Sequence, residues 1–163
     1  MTAIIVIAVA CLIGWLFFSK KTKAKRSRRP PFKKLYVLDQ PQPIKDFERK
    51  MIGGMVREKK EVFVTAFCNT THVLKVTASI GSKHKCRPSD SVSLWVINAR
   101  RIGANRIRQY HNHPDIFGRS FLSSADRKSH KVLQKHVTGG GIEFESLLVY
   151  KGWIGGHRIK RYD

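Results

Sequence analysis

Apolar positions along the chain follow two regimes. Thr2 to Phe18 is an unbroken run without charge, whereas beyond Lys34 apolar and polar residues interleave at strand or helix spacing. As a helix the run measures about 25 Å, slightly short of a bilayer's hydrocarbon core. Trp15, Phe17 and Phe18 close it with rings that favour the headgroup level, and Lys20 and Lys21 follow at once. Residues 1–19 are therefore expected to be a transmembrane anchor. Residues 20–48 read as a basic linker and lead-in, and 49–163 as the folded domain.

Within the body, Pro43 to Met51 has a short helical pattern that Gly53-Gly54 is expected to break. Glu61 to Cys68 and His72 to Ile80 are rich in β-branched and aromatic residues around Asn69-Thr70-Thr71, the pattern of a hairpin. Pro88-Ser89-Asp90 opens a helix, capped by Ser89 or Asp90, that places Val92, Trp95, Val96, Ala99 and Ile102 on one face until Gly103 stops it. Arg106 to His113 alternates as a strand and ends at Pro114. Ser123 to about Val137 forms a second helix, terminated by Gly139-Gly140-Gly141. Ile142 to Tyr150 and Trp153 to Ile159 are the last strands. The order β, β, α, β, α, β, β predicts an α/β domain in which a mixed sheet packs against helices.

A chain of 163 residues accommodates one ordinary domain with appendages and excludes a two-domain enzyme. Lys and Arg number 32 against 11 Asp and Glu, yet 42% of residues are hydrophobic, too many for a disordered basic tail. Cys11, Cys68 and Cys86 cannot all pair and share no C-x-x-C spacing, which points to a reducing compartment. Nine Lys or Arg and no acid lie between Lys20 and Lys34, and no basic residue precedes the apolar run. The positive-inside rule then puts the N-terminus outside and the body in the cytoplasm. The missing basic n-region argues against a cleaved signal peptide. The Lys20–Lys34 segment would be drawn to anionic lipid, and the same charges would attract nucleic acid.

Candidate chemistry centres on two histidines. His111 and His113 are two apart on a strand, so both imidazoles project from one face. Asp126, thirteen residues beyond His113, sits in the first turn of the next helix, where the intervening loop could fold its carboxylate back to the pair. Two His and one acid leave a fourth tetrahedral position open, as catalytic zinc requires. Glu61, at the start of the first strand, is the candidate proton carrier, with Glu58 as its rival. Ser123 with Asp126 also satisfies an ordinary capping box. The remaining polar candidates are weaker: His72, His84 and Cys86 read as surface residues, His130 and His136 as exposed or supporting ones, and His157 has no evident partner. Cys68 and Trp95 read as core, and Trp153 as an edge packer or a substrate contact.

Glu61, then His111-Asn112-His113-Pro114, then Ser123 and Asp126 resemble the JAMM (JAB/MPN+) metalloprotease pattern of Glu, H-x-H-P and S-x-x-D. The resemblance covers roughly residues 58–160, and H-N-H-P is most similar to the RadC-like bacterial branch. The interval between Pro114 and Ser123 is eight residues, two longer than the usual pattern. The resemblance implies a JAB/MPN-like domain in which His111, His113 and Asp126 bind zinc and Glu61 is the general acid/base. It also implies that Ser123 hydrogen-bonds the developing oxyanion. The expected activity is cleavage of a peptide or isopeptide bond, in a protein or peptide substrate that a ubiquitin-like tail would fit, at the bacterial inner membrane. The competing expectations are a basic module binding nucleic acid or an acidic partner without catalysis, and an inactive scaffold.

Overall fold

A computed structural model describes residues 38–82, 86–88, 90–114, 121–151 and 157–162. Among these residues are a mixed six-stranded sheet and three helices. In chain order these are β1 (Gln42–Pro43), α1 (Ile44–Met55), β2 (Val62–Cys68), β3 (His72–Ile80), α2 (Val92–Arg101), β4 (Arg106–Asn112), α3 (Ser124–Gly139), β5 (Glu143–Lys151) and β6 (His157–Tyr162). The strands lie in the order β1-β3-β2-β4-β5-β6. Only β4 and β5 run parallel; every other neighbouring pair is antiparallel. A parallel pair needs a crossover, and α3 supplies it. The α/β class and the mixed sheet therefore match expectation.

The hairpin closes as its sequence dictates. Asn69 Oδ1 accepts from the backbone N–H of Thr71 at 2.9 Å and of His72 at 2.7 Å, the side-chain turn for which Asn is suited. His72 Nδ1 lies 2.8 Å from Thr71 Oγ1, so that histidine belongs to the turn. The last strand, β6, spans His157–Tyr162 and so runs past the expected end at Ile159; the expected start at Trp153 lies outside the described residues. The apolar run Thr2–Phe18, the Lys20–Lys34 segment and His84 also lie outside them. Among the described residues no helix is long and apolar enough to cross a membrane.

Strand alternation divides the core into two layers. Val62, Val64 and Ala66 of β2, Tyr110 of β4, and Leu147 and Val149 of β5 meet Phe47, Met51 and Met55 of α1 on one face. On the other face Phe67, Ile107 and Phe144 meet Trp95 and Ala99 of α2, with Leu133 and Val137 of α3. His111 shares parity with Ile107, which puts it under α2 and α3. Cys68 is buried on the α1 face, as expected, and burial pushes its thiol up to about 12.

Gly53-Gly54 does not break α1, which continues to Met55. Two interior glycines cost about 2 kcal/mol relative to alanine, and burying Met55 returns a comparable amount. The helix also begins at Ile44, so it runs across the expected boundary at residue 48/49. The cap of α2 differs as well: Ser91 occupies the N-cap position without a side-chain hydrogen bond, and Ser89 is outside the described residues. Gly103 at φ 72 ends α2, with its N–H on Arg100 O and the Ala104 N–H on Ala99 O, a Schellman arrangement. Gly140 permits close approach of α3 to α2, since a Cβ there would lie 2.7 Å from Val96 Cγ1.

Asn112 anchors the end of β4 to the opposite layer. Its Oδ1 accepts from Val62 N–H at 2.6 Å, and its Nδ2 donates to Met55 O at 2.8 Å and Lys60 O at 3.3 Å. One buried amide thus satisfies the last turn of α1 and the first residue of β2. Truncation would leave the Val62 N–H and the half-buried Lys60 carbonyl without this partner, each costing about 1–3 kcal/mol, while Met55 O keeps the Glu58 N–H. Asn112→Ala is expected to lower unfolding stability by about 2–4 kcal/mol, read from urea midpoints at unchanged m-value. A loss below about 1 kcal/mol would show that other groups satisfy these atoms.

Candidate metal centre

β4 lies between β2 and β5, so its C-terminal end is held on both sides. His111 pairs with Phe63 of β2 and Leu148 of β5, and its ring stacks on Phe63 with centroids 6.1 Å apart. His113 follows one residue after the strand, two positions on, and therefore shares the face of His111. Their rings are 5.3 Å apart and tilted by 60°. Asp126 occupies the third position of α3, and the connection folds it back onto this pair. One ligating atom each from His111, His113 and Asp126 lies within 4.8 Å of the others. His113 Nε2 stands 3.3 Å from Asp126 Oδ2. Two ligands at about 2.1 Å from a tetrahedral ion would be about 3.4 Å apart, so this edge already fits one.

The hydrogen-bond inventory supports the same conclusion. His111 is 8% exposed, and neither of its ring nitrogens has a hydrogen-bond partner; His113 Nδ1 is likewise buried and unbonded. A neutral imidazole carries one donor and one acceptor, and leaving either unmatched in the interior costs about 1–3 kcal/mol. A cation accepted by a ring nitrogen removes part of that cost. The group His111-His113-Asp126 could hold a metal ion.

The electrostatics favour the ligating protonation states. Burial, with the nearby His113 as the next cause, pushes the pKa of His111 down to about 4, so its imidazole is neutral at neutral pH. The hydrogen bond from His113 holds the Asp126 carboxyl well below the usual carboxylate range, with Ser123 adding to the effect and burial opposing it. Neutral imidazole and ionised carboxylate are the forms that bind metal.

Ser123 supports Asp126 directly. Its backbone N–H and its hydroxyl donate to Asp126 Oδ2 at 2.9 and 2.7 Å, and its Oγ accepts from the Asp126 N–H at 3.1 Å. This is a complete capping box. The cap and the metal reading are therefore not alternatives: the cap fixes the carboxylate that faces the histidines.

No protein-family model and no curated protein matches the chain. The donor set itself carries the functional reading.

Glu61 lies one residue before β2. Continuing the pairing of Phe63 with His111 sets Glu61 across from His113, and alternation puts it on the face of Phe63 and His111. Its backbone extends the hairpin through Glu61 N–H to Ser82 O and Gly81 N–H to Glu61 O, both 2.8 Å. Glu61 is not one of the three ligating residues. Glu58 sits in the turn after α1 and lines a pocket with His113 and Pro114. A second cleft, about 410 Å³, opens beside His111 and Asp126.

Of the two alternatives the sequence left for His130, the structure selects the supporting one, and Gln109 was not singled out. His130, one helical turn after Asp126, is buried on the inner face of α3 with its ring 5.7 Å from Phe144, and its charge opposes protonation of His111. Its spacing of four from Asp126 was the available signal. Gln109, two before His111, is also buried and lines the larger cleft. His136 is exposed on α3, with Nδ1 2.9 Å from Val132 O. Cys86 Sγ contacts Ser79 O at 3.5 Å.

The low pKa of His111 has a consequence for the metal-free chain. An unfolded histidine takes up its proton near pH 6.5, whereas folded His111 resists until about pH 4. The unfolded state therefore binds more protons in that window, and stability falls as pH falls from about 6.5 to about 4. The full effect is of order 3 kcal/mol. Urea midpoints measured across this window are expected to drop with acidification in the wild type and to flatten in His111→Phe. Equal slopes in the two would assign the acid sensitivity to another group.

Proposed function

We propose that the domain is a zinc metallohydrolase of JAMM type that cleaves a peptide or isopeptide bond. The observation that carries the reading is the imidazole pair, buried at His111 and half-buried at His113, short of hydrogen-bond partners and faced by a fixed carboxylate. His111, His113 and Asp126 would hold the ion, and three protein ligands leave room for a fourth. Zinc there would supply Lewis acidity towards an amide carbonyl and lower the pKa of water to about 7.

The chain's own residues then have separable tasks. Phe63, stacked on His111, excludes water from one side of the imidazole. Ser123 holds the Asp126 carboxylate through two hydrogen bonds. In this reading Glu61 takes a proton from the attacking water and delivers it to the departing nitrogen, which prevents expulsion of an amide anion. Its supports are the position across from His113 and the shared face. The resemblance also gives Ser123 an oxyanion role, which would require its hydroxyl to turn from Asp126 Oδ2 towards the substrate.

Anchoring by Thr2–Phe18 at the bacterial inner membrane, with the domain cytoplasmic, belongs to the same proposal and rests on the uncharged run followed by nine basic residues up to Lys34.

The metal arm is tested by zinc content of the purified full chain. One zinc per chain is expected in the wild type and loss in His113→Ala. Asp126→Asn, which can still cap α3, is expected to lose most of it, and undiminished zinc would remove Asp126 from the ligand set. In a separate assay on peptide and isopeptide amides, Glu61→Gln is expected to keep its zinc and lose about 10²–10⁴-fold in rate. Full activity in Glu61→Gln together with loss in Glu58→Gln would move the proton carrier to Glu58.

A further inference from the structure

At the C-terminal ends of β4 and β5 a second pocket of about 250 Å³ shares His113 with the candidate metal centre. Its base is made by Asn112 and Val149, both buried, and Pro114 stands beside His113. Arg57, Lys59 and Lys151 line it with exposed side chains, and Glu58 is the one acid among its lining residues. No carboxylate among the described residues forms an ion pair with Arg57, Lys59 or Lys151. Some cations elsewhere in the domain are ion-paired. Arg106, Arg108 and Arg161 gather around Glu145, and Glu48 and Glu143 add further contacts. Among the described residues the pocket beside His113 thus carries three cations against one acid, in a concave site whose walls concentrate the field.

We propose that this pocket is a subsite for a carboxylate carried by the substrate, so that the amide presented at His113 belongs to a chain with an acidic residue next to the scissile bond. The inference rests on the hydrolase reading for the word substrate; the pocket's selectivity for anions stands on its own residues. The volume suits one side chain, and a carboxylate is the small anion that a peptide offers. A lysine or arginine at the same place would meet like charge from three directions.

The test uses the full chain with Glu61→Gln, loaded with zinc, so that binding is read without turnover. The probes are fluorophore-labelled, end-blocked hexapeptides that differ only in carrying Asp, Asn or Lys at one position, read by anisotropy. At one position the Asp peptide is expected to bind about tenfold more tightly than its Lys counterpart at low salt. That gap narrows as ionic strength rises. Adding Arg57→Ala with Lys151→Ala is expected to bring the two peptides within about twofold, and Arg57→Glu with Lys151→Glu to invert the order. Lys131→Glu with Lys135→Glu, the same charge change on the exposed face of α3, is expected to leave the preference intact. The proposal is overturned if no peptide binds, if no position prefers Asp, or if the preference survives charge reversal at residues 57 and 151. Cleavage by the chain that retains Glu61 is read separately. Asp-selective binding without cleavage would remove the hydrolase reading and keep the subsite; cleavage indifferent to Asp would do the reverse.

Discussion

The structure around the site turns on an imidazole removed from water without a hydrogen-bond partner. His111 lies near the end of a strand flanked on both sides, beneath two helices, with both ring nitrogens buried and unbonded. A structure with a stability of about 5–15 kcal/mol has little tolerance for such a group unless something else compensates it. The surroundings are arranged as though for one compensating ligand: a second imidazole two residues on, a carboxylate 3.3 Å from it, and a capping serine that keeps that carboxylate ionised and aimed.

The two layers of the fold serve this end in different ways. The α2–α3 layer supplies the carboxylate and the apolar cover, while the α1 layer fixes the strand end from behind through Asn112, which joins Met55, Lys60 and Val62. Glu48 of α1 reinforces that grip by accepting from Arg108 at 2.8 Å and from the Tyr110 hydroxyl at 2.9 Å. Alternation along β4 is what lets one strand do both: Arg108, Tyr110 and Asn112 face α1, and Ile107, Gln109 and His111 face the other helices.

Local signals made most of the fold legible. The Asn69 turn, the α2 face from Val92 to Ile102 and the Ser123 cap depend on neighbouring residues, and each formed where the sequence places it. The misreadings share a cause in tertiary contact. Gly53-Gly54 looked like a stop because its compensation, burial of Met55 against the sheet, is invisible in the local sequence. The two-residue β1 exists only because β3 offers Val73 and His72 as partners. At the site, the H-x-H spacing and the Ser123–Asp126 pair were readable. The burial of His130 and the three-way bond of Asn112 were not, since both require knowing which face a helix or strand presents. The surplus of cations beside His113 assembles residues from two separate stretches, which no linear pattern announces.

The visible spectrum of the full chain with cobalt(II) in place of zinc tests the central claim most directly, because it reports coordination rather than activity. The account predicts stoichiometric uptake and the strong d–d absorption of a four-coordinate ion with nitrogen and oxygen ligands, abolished by His111→Ala. Absence of uptake, or the weak spectrum of a six-coordinate hydrated ion that His111→Ala leaves unchanged, would contradict it.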